Sequence, residues 1–255
     1  MIIMGDSMFG KVILVVGYDN NCNIGTAVKK KFENEGALVI TMDKNCKDAD
    51  WMEDAADSYG VNNAFTNIKR QYGRLDGIMC CQGVNIMNKL EEYDLTDFHR
   101  TIDANLTSLF VLLQNYVKFF DNDGNRKAFV VVTSDTAEIP KTLTFAYGAS
   151  KAGANQFLRC TARELMKQHA DEWIVTGFAA GMVSGTPMDL KTISDITKSR
   201  SNVNGEEARK MLVANIPAGR GMTTDEVAEW LFFLTTKGSY ASGCILRVDG
   251  GQCQG

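Results

Sequence analysis

Tyr147 and Lys151 stand four residues apart in the stretch Tyr147-Gly-Ala-Ser-Lys151, a spacing that puts both side chains on one face of a helix. A phenol titrates near ~10 and an ammonium near ~10.4. An ammonium beside the phenol favours the phenolate and draws the tyrosine toward neutrality, where it serves as a general acid or base. Ser134 precedes Tyr147 by thirteen residues and follows the apolar run 128–133. At the C-terminal end of a strand its hydroxyl would meet a substrate oxygen and stabilise the charge developing there. Asn105 lies in the long segment before that run. It is expected to kink a helix locally and to hold a water that passes protons to Lys151. Each residue alone has an ordinary structural reading, as a chance helical pair, a strand-end serine or a polar helix residue. Their joint placement points to proton transfer at a substrate oxygen.

A second feature could hold an anion. VVGYDNNCNIGTAV, residues 15–28, reads as a strand, a glycine turn and a helix. Gly17 permits a tight turn, and Gly25 permits close backbone approach. A helix opening near Asn23 and Ile24 would aim its free N–H groups and the positive end of its dipole at the turn, which suits a pyrophosphate. An ordinary β–α turn has the same outline. Asp43 follows Gly17 by twenty-six residues, at the end of the second apolar run. Its carboxylate either accepts from ribose hydroxyls and repels a 2′-phosphate, or caps the turn that follows. Asp19 stands in the turn where a basic residue would grip that phosphate, while Lys44 is a cation of the opposite tendency. The balance favours NAD(H) over NADP(H).

These residues need a scaffold, and the apolar pattern provides one. Residues 11–16, 37–42, 75–81, 128–133, 174–178 and 245–248 are short apolar runs, as strands buried on both faces read. Between them lie helical spacings. Ile24, Val28 and Phe32 form one, ended by Gly36, and Phe65, Ile68 and Tyr72 another. Phe98, Ile102, Leu106, Leu109, Leu113 and Val117 make a long stripe. A further helix runs from Tyr147 to about Gln168, and Thr223 with Glu226 reads as a capping box opening a last one through Leu234. The alternation predicts an α/β fold, a Rossmann-like doubly wound parallel sheet in three layers. Without repeats or a linker, residues 1–255 read as a single domain. Residues 184–216 interrupt it, either as a flap over the site or as a solvated loop with a short helix.

Charge and composition exclude other classes. The chain carries 27 basic and 31 acidic residues, a net charge of −4, with no basic tract, so nucleic acid is not an expected partner. No apolar stretch reaches about 18 residues, so no membrane span is expected. The opening Met1-Ile2-Ile3-Met4-Gly5-Asp6 lacks a secretory pattern. Cys22, Cys46, Cys80, Cys81, Cys160, Cys244 and Cys253 are odd in number and lack paired spacing, so they read as reduced thiols of a cytoplasmic protein. His99 and His169 lie near no cysteine pair, and no metal site is expected.

On these residues the chain resembles the short-chain dehydrogenase/reductase family, from Lys11 to Gly251. Asn105, Ser134, Tyr147 and Lys151 match its catalytic tetrad in order and approximate spacing. RLDGIMCCQG (74–83) resembles its LDxLVNNAG strand, and Asp54-Ala55-Ala56-Asp57 its DVTD segment. Ala180-Gly181-Met-Val183-Ser-Gly-Thr186-Pro-Met resembles its PGxxxTxM segment, and Arg247-Val-Asp249-Gly-Gly251 its VDGG. The resemblance implies hydride exchange between a nicotinamide dinucleotide and a ketone or secondary alcohol, of 3-oxoacyl, steroid, sugar or small-ketone type. It implies that Gly17, Asn23, Ile24 and Gly25 hold the phosphates and Asp43 the ribose. Asp54 would meet the adenine amino group, with Ala55, Cys81 and Gly83 also against the dinucleotide. Lys151 would reach the nicotinamide ribose beside Tyr147. Gly181, the Val183 backbone and the Thr186 hydroxyl would lie at the carboxamide. A homo-oligomer, tetramer or dimer, through the long helices is implied as well.

The departures carry their own expectations. The turn is not TGxxxGxG and resembles instead the Gly-x5-Ser-Ile-Ala turn of enoyl reductases, with Asn23 for Ser. Those enzymes space Tyr and Lys by six residues, so the turn does not carry their chemistry here. Cys80-Cys81-Gln82-Gly83 stands for Asn-Asn-Ala-Gly, and Gln82 brings bulk to where adenosine should lie. Ala180 replaces a proline. Ten residues separate Asp43 from Asp54, too few for a parallel crossover. The helix after the second strand is therefore expected to be lost or cut to a turn, leaving one sheet edge less covered and the adenosine pocket more open. A catalytically weak dinucleotide-binding scaffold or sensor is the alternative, favoured by the altered 80–82 segment and opposed by the tetrad. Epimerase or dehydratase chemistry usually comes with an added substrate domain, which this length does not easily hold. Lys191, Lys198, Arg200 and Arg209 would either attract an anionic substrate such as an acyl carrier, or be solvated charge balanced by Asp189, Asp195, Glu206 and Glu207.

Overall fold

The computed structural model describes residues 8–20, 23–121, 124–200 and 202–252. Met1–Asp6, Cys22 and Cys253, on which the leader and thiol readings partly rest, lie outside them. Six parallel strands form one sheet in the order β2-β1-β3-β4-β5-β6. The strands are β1 Val12–Val16, β2 Leu38–Met42, β3 Gly77–Cys80, β4 Lys127–Ser134, β5 Trp173–Ala180 and β6 Ile245–Val248. The helices are α1 Ile24–Asn34, α2 Ser58–Tyr72, α3 Leu95–Ile102, α4 Ser108–Phe120, α5 Phe145–His169, α6 Pro187–Ser199, α7 Gly205–Val213 and α8 Thr224–Lys237.

The strand period sorts the core into two layers. On β1, Val12, Leu14 and Val16 face α2, α4 and α5, where they join Phe65, Leu112 and Leu158. Ile13 and Val15 face α1 and α8, with Phe32 and Leu231. Each such buried side chain contributes about 1.5–3 kcal/mol, so the three-layer arrangement follows from the unalternating apolar runs. The helix starts are capped as their sequences dictate. Asn23 caps α1, Asp57 caps α2, and Thr223 with Glu226 forms the expected box on α8.

Three segments depart from simple periodicity. The long stripe is not one straight helix: α3 and α4 are joined by a π turn over Asp103–Thr107. The turn's extra residue shifts the helical phase, so Leu109 and Leu113 are buried while Phe98, Ile102, Leu106 and Val117 are half-buried. Between β2 and α2 there is no helix, as the short spacing requires. Trp51 instead pairs with Met42 in a one-residue parallel bridge, and the Asp50 carboxylate accepts from the Thr41 N–H at 2.8 Å and its hydroxyl at 2.7 Å. Residues 184–216 carry two helices, α6 and α7, where the sequence suggested one short helix at most. No helix among the described residues is long and apolar enough to cross a membrane.

Candidate active site

The C-terminal ends of the strands open into a cleft of about 920 Å³, a size suited to a large small-molecule ligand. At one end, β1 runs into Gly17. Its φ of +86° and the Gln82 backbone packed against it leave no room for a Cβ. Gly25 lies as closely on the Gly17 carbonyl oxygen. Asn23 ties the turn to α1: its amide donates to Gly17 O at 3.0 Å, and its carbonyl accepts from Thr26 N at 2.9 Å. The Thr26 hydroxyl donates to Asp19 O. The first turn of α1 holds no acidic side chain to oppose an anion at its start. This cradle fits a dinucleotide pyrophosphate.

Asp43 closes β2 and lines the cleft, and its Oδ1 also accepts from the N–H groups of Asn45 (2.7 Å) and Cys46 (3.1 Å). Both readings of this carboxylate are thus compatible with its place. Lys44 is turned to Asp54, 2.9 Å away. Burial works to raise the Asp54 carboxyl, but the hydrogen bonds from Lys44 and the Ala56 N–H outweigh it and hold it below its usual range. Gln82, expected to crowd the adenosine, donates its amide to Ser108 Oγ on α4 at 3.1 Å. Cys81 and Gly83 flank it in the lining, and Ala55 sits across from them on the 43–57 segment.

At the centre of the cleft, Ser134 ends β4 while Tyr147 and Lys151 rise from the first turns of α5. Ser134 Oγ accepts from Thr136 N–H at 3.1 Å and lines the cleft beside Tyr147. Lys151 Nζ donates to the Val132 carbonyl at 2.9 Å and lies 5.7 Å from the Tyr147 ring centre. The expected lowering of Tyr147 toward neutrality is not found, and this is a correction. Burial raises it to about 12, against the Ser134 hydrogen bond and with help from the Asp135 charge. Burial likewise lowers Lys151 to about 8, against the neighbouring Cys80 and Cys81. The ammonium is spent on a carbonyl rather than aimed at the phenol oxygen, so desolvation wins.

Asn105 stands behind the cleft, in the π turn. Its carbonyl accepts from Val84 N–H at 2.8 Å, and its amide donates to Val84 O and Ser150 Oγ, both at 2.9 Å. The kink was expected and is present as the π turn, and the side chain ties it to Val84 and Ser150. At the far end, Gly181 follows β5 against Asp249, and Val183 forms a one-residue bridge with Met222. The Thr186 hydroxyl accepts from Asp189 N–H at 3.2 Å, capping α6, and lies 3.3 Å from Val183 O. Of the residues proposed from sequence, all line the cleft except Gly25 and Asn105, which brace it. Asp135 and Lys141 also line the cleft, within a segment (135–146) expected to bear on substrate choice but with neither residue singled out from the sequence. Their ion pair forms only because the chain turns back after β4. The one available signal was a carboxylate directly after the candidate serine.

A doubly wound sheet with a glycine cradle at its first turn, and a serine, tyrosine and lysine at the strand ends, defines a dinucleotide-dependent oxidoreductase. The chain belongs to the short-chain dehydrogenase/reductase family: residues 17–252 match the family model described as enoyl-(acyl carrier protein) reductase. Enzymes of this family use NAD(P)(H) on CH–OH groups and their ketones. The chain is similar to a 3-oxoacyl-(acyl-carrier-protein) reductase of Thermotoga maritima, 28% identical over 95% of this chain and 97% of that one. It is 27% identical to a D-threitol dehydrogenase of Mycolicibacterium smegmatis, over 95% and 92%. In fold it matches an aldohexose dehydrogenase of Thermoplasma acidophilum, with a TM-score of 0.84, 21% identity and coverage of 96% and 94%.

Proposed function

We propose that this chain reduces a ketone to a secondary alcohol with NADH, with Tyr147 as proton donor. The observation that carries the reading is the meeting of Ser134, Tyr147 and the buried Lys151 in one cleft, with Lys151 Nζ 5.7 Å from the centre of the Tyr147 ring. NADH, when bound in the cleft, would supply a hydride to the carbonyl carbon. Ser134 Oγ holds the substrate oxygen, and Tyr147 Oη gives it a proton. The phenol is protonated at neutral pH and so has a proton to give. Lys151, brought to about 8, is held beside the Tyr147 ring by its hydrogen bond to the Val132 carbonyl. Asn105, in the 103–107 turn, holds a water that passes protons to Lys151.

Gly17, Asn23, Ile24 and Gly25 hold the pyrophosphate, and Asp43 the adenosine ribose. Asp54, Ala55, Cys81 and Gly83 flank the adenosine half, and Gly181, Val183 and Thr186 the carboxamide. Preference for NAD(H) rests on Asp19, Asp43, Glu53 and Asp54 around the mouth and on the capture of Lys44 by Asp54. Residues 184–216 act as a substrate flap. Three of their cations pair internally, Lys191 with Asp195, Arg209 with Asp189 and Lys210 with Glu206, which favours the balanced-charge reading over an acyl-carrier site. Exposed Leu95 and Phe110 on α3 and α4 support a homo-oligomer. The five described cysteines are free thiols, in keeping with a cytoplasmic setting.

The test is NADH oxidation against a ketone panel, with Tyr147→Phe beside the parent protein. Turnover should fall by roughly 10²–10⁴ while nucleotide binding, followed by nicotinamide fluorescence, stays intact. Retained turnover would overturn the role of Tyr147. Binding of neither NADH nor NADPH would turn the reading to a scaffold.

A further inference from the structure

We propose that Lys141, fixed by the buried carboxylate of Asp135, binds a hydroxyl on the carbon next to the reacting carbonyl, so that the substrate is an α-hydroxyketone and the product a vicinal diol. The proposal rests on the carbonyl-reductase reading above. Asp135 follows Ser134 directly, and its side chain is 2% exposed. Its two oxygens accept from Lys141 Nζ at 2.8 and 2.7 Å. Ser134 Oγ donates to the same Oδ1 at 3.1 Å, and the Thr136 hydroxyl lies 3.3 Å from it. The serine hydroxyl and the lysine ammonium therefore converge on one carboxylate oxygen. That places them as two oxygens on neighbouring carbons would need to be met.

The chemistry selects a neutral hydroxyl. Lys141 is partly exposed and lines the cleft, and an ammonium has a third N–H beyond the two that face Asp135. A hydroxyl accepts that N–H and returns its own proton toward the carboxylate. An anionic group would gain the ammonium but face the charge of Asp135, and the pair carries no net charge. An alkyl group would desolvate the ammonium and leave its donor unmatched. The Ser134 hydroxyl is a rotor. When it turns from Asp135 to the reacting oxygen, Lys141 keeps Asp135 satisfied. Asp135 is thus a positioning residue for both donors. Elsewhere in the lining, Asn85 Oδ1 is buried with no hydrogen-bond partner, a further acceptor for a hydroxyl-bearing ligand. The loop is held in shape, with Thr144 Oγ1 donating to Lys141 O at 2.9 Å and Ile139 N–H to Asp135 O at 2.8 Å.

Hydroxyacetone and butan-2-one differ only in a hydroxyl for a methyl, and make the test. The ratio of their kcat/KM values is measured for the parent protein, Lys141→Met and Lys141→Arg, with pyruvate as the anionic comparison. The parent ratio should favour hydroxyacetone and fall about tenfold or more in Lys141→Met, the loss expected for a charge-assisted hydrogen bond. Lys141→Arg should keep most of it. Because both ketones meet the same protein, inherent carbonyl reactivity cancels between variants. Lys141→Gln replaces the methionine variant should that one be insoluble. A ratio unchanged in Lys141→Met overturns the proposal and leaves the carbonyl-reductase reading standing. Preference for pyruvate overturns the neutral-hydroxyl assignment. Failure of the parent to reduce either ketone with NADH or NADPH overturns the reading beneath it.

Discussion

Lys151→Met should flatten the pH dependence of folding stability in a way that the buried ammonium dictates. Lys151 is 3% exposed. Burial lowers it from an ordinary 10.5 to about 8, while the thiols of Cys80 and Cys81 pull the other way. The unfolded chain carries the same charge without penalty. Below pH 8 both states are protonated, and the full penalty burdens the fold. Between about 8 and 10.5 the folded chain has released a proton that the unfolded chain keeps, so stability rises with pH. At roughly 1.4 kcal/mol per pH unit the gain across that window is about 3 kcal/mol. Methionine keeps the stem's bulk and removes the titration. It also leaves the Val132 carbonyl without its donor, at a cost of about 1–3 kcal/mol. That carbonyl does not titrate, so the cost offsets the whole curve without tilting it. Urea unfolding without nucleotide at pH 7, 8, 9 and 10 separates the two effects. The parent should gain on the variant as pH rises. Parallel curves would refute the reasoning and mean that Lys151 keeps its ordinary charge inside the fold.

Other perturbations act on single contacts. Asp54→Asn removes the partner of Lys44 and should raise the ratio of NADPH to NADH affinity about three- to tenfold; an unchanged ratio in fluorescence titration would place Lys44 away from the ribose. Gly17→Ala sets a Cβ against the Gln82 backbone at φ +86° and should weaken NADH binding about tenfold or more; near-normal binding would show that the turn yields. Asn105→Ala strips partners from Val84 N–H, Val84 O and Ser150 Oγ. It should cost about 1–3 kcal/mol in unfolding free energy and lower kcat more than it raises KM for NADH, because Gly83 beside Lys151 loses its support. A variant as stable and as active as the parent would deny Asn105 that role.

The strands were readable because most are short apolar runs buried on both faces, and such runs have few alternatives. The α8 start was readable because a capping box is a local pattern in which Thr223 and Glu226 need only each other. The absent helix after β2 followed from counting residues. What could not be read depends on contacts distant in sequence or on burial itself. Asn105 was singled out, but its pairing with Val84 is set by where β3 ends. Asp135 and Lys141 meet through a loop whose course no periodicity encodes. The direction of the Tyr147 shift was misjudged because spacing shows that an ammonium is near, while burial decides how much it counts. Gln82 read as bulk toward the cofactor, and only the position of Ser108 on α4 shows where its amide goes.

The bridge at Trp51 bears on how copies of this chain meet. An outermost strand displays a row of backbone donors and acceptors, an open template for a strand from another molecule. On β2 the Thr41 N–H is taken by Asp50, its carbonyl by the Trp51 N–H at 3.0 Å, and the Asp43 N–H by the Trp51 carbonyl at 3.1 Å. A segment too short to form a strand of its own has become a seal on the sheet's margin. A strand from another molecule would have to displace Asp50 and Trp51 before it could continue the sheet past Thr41.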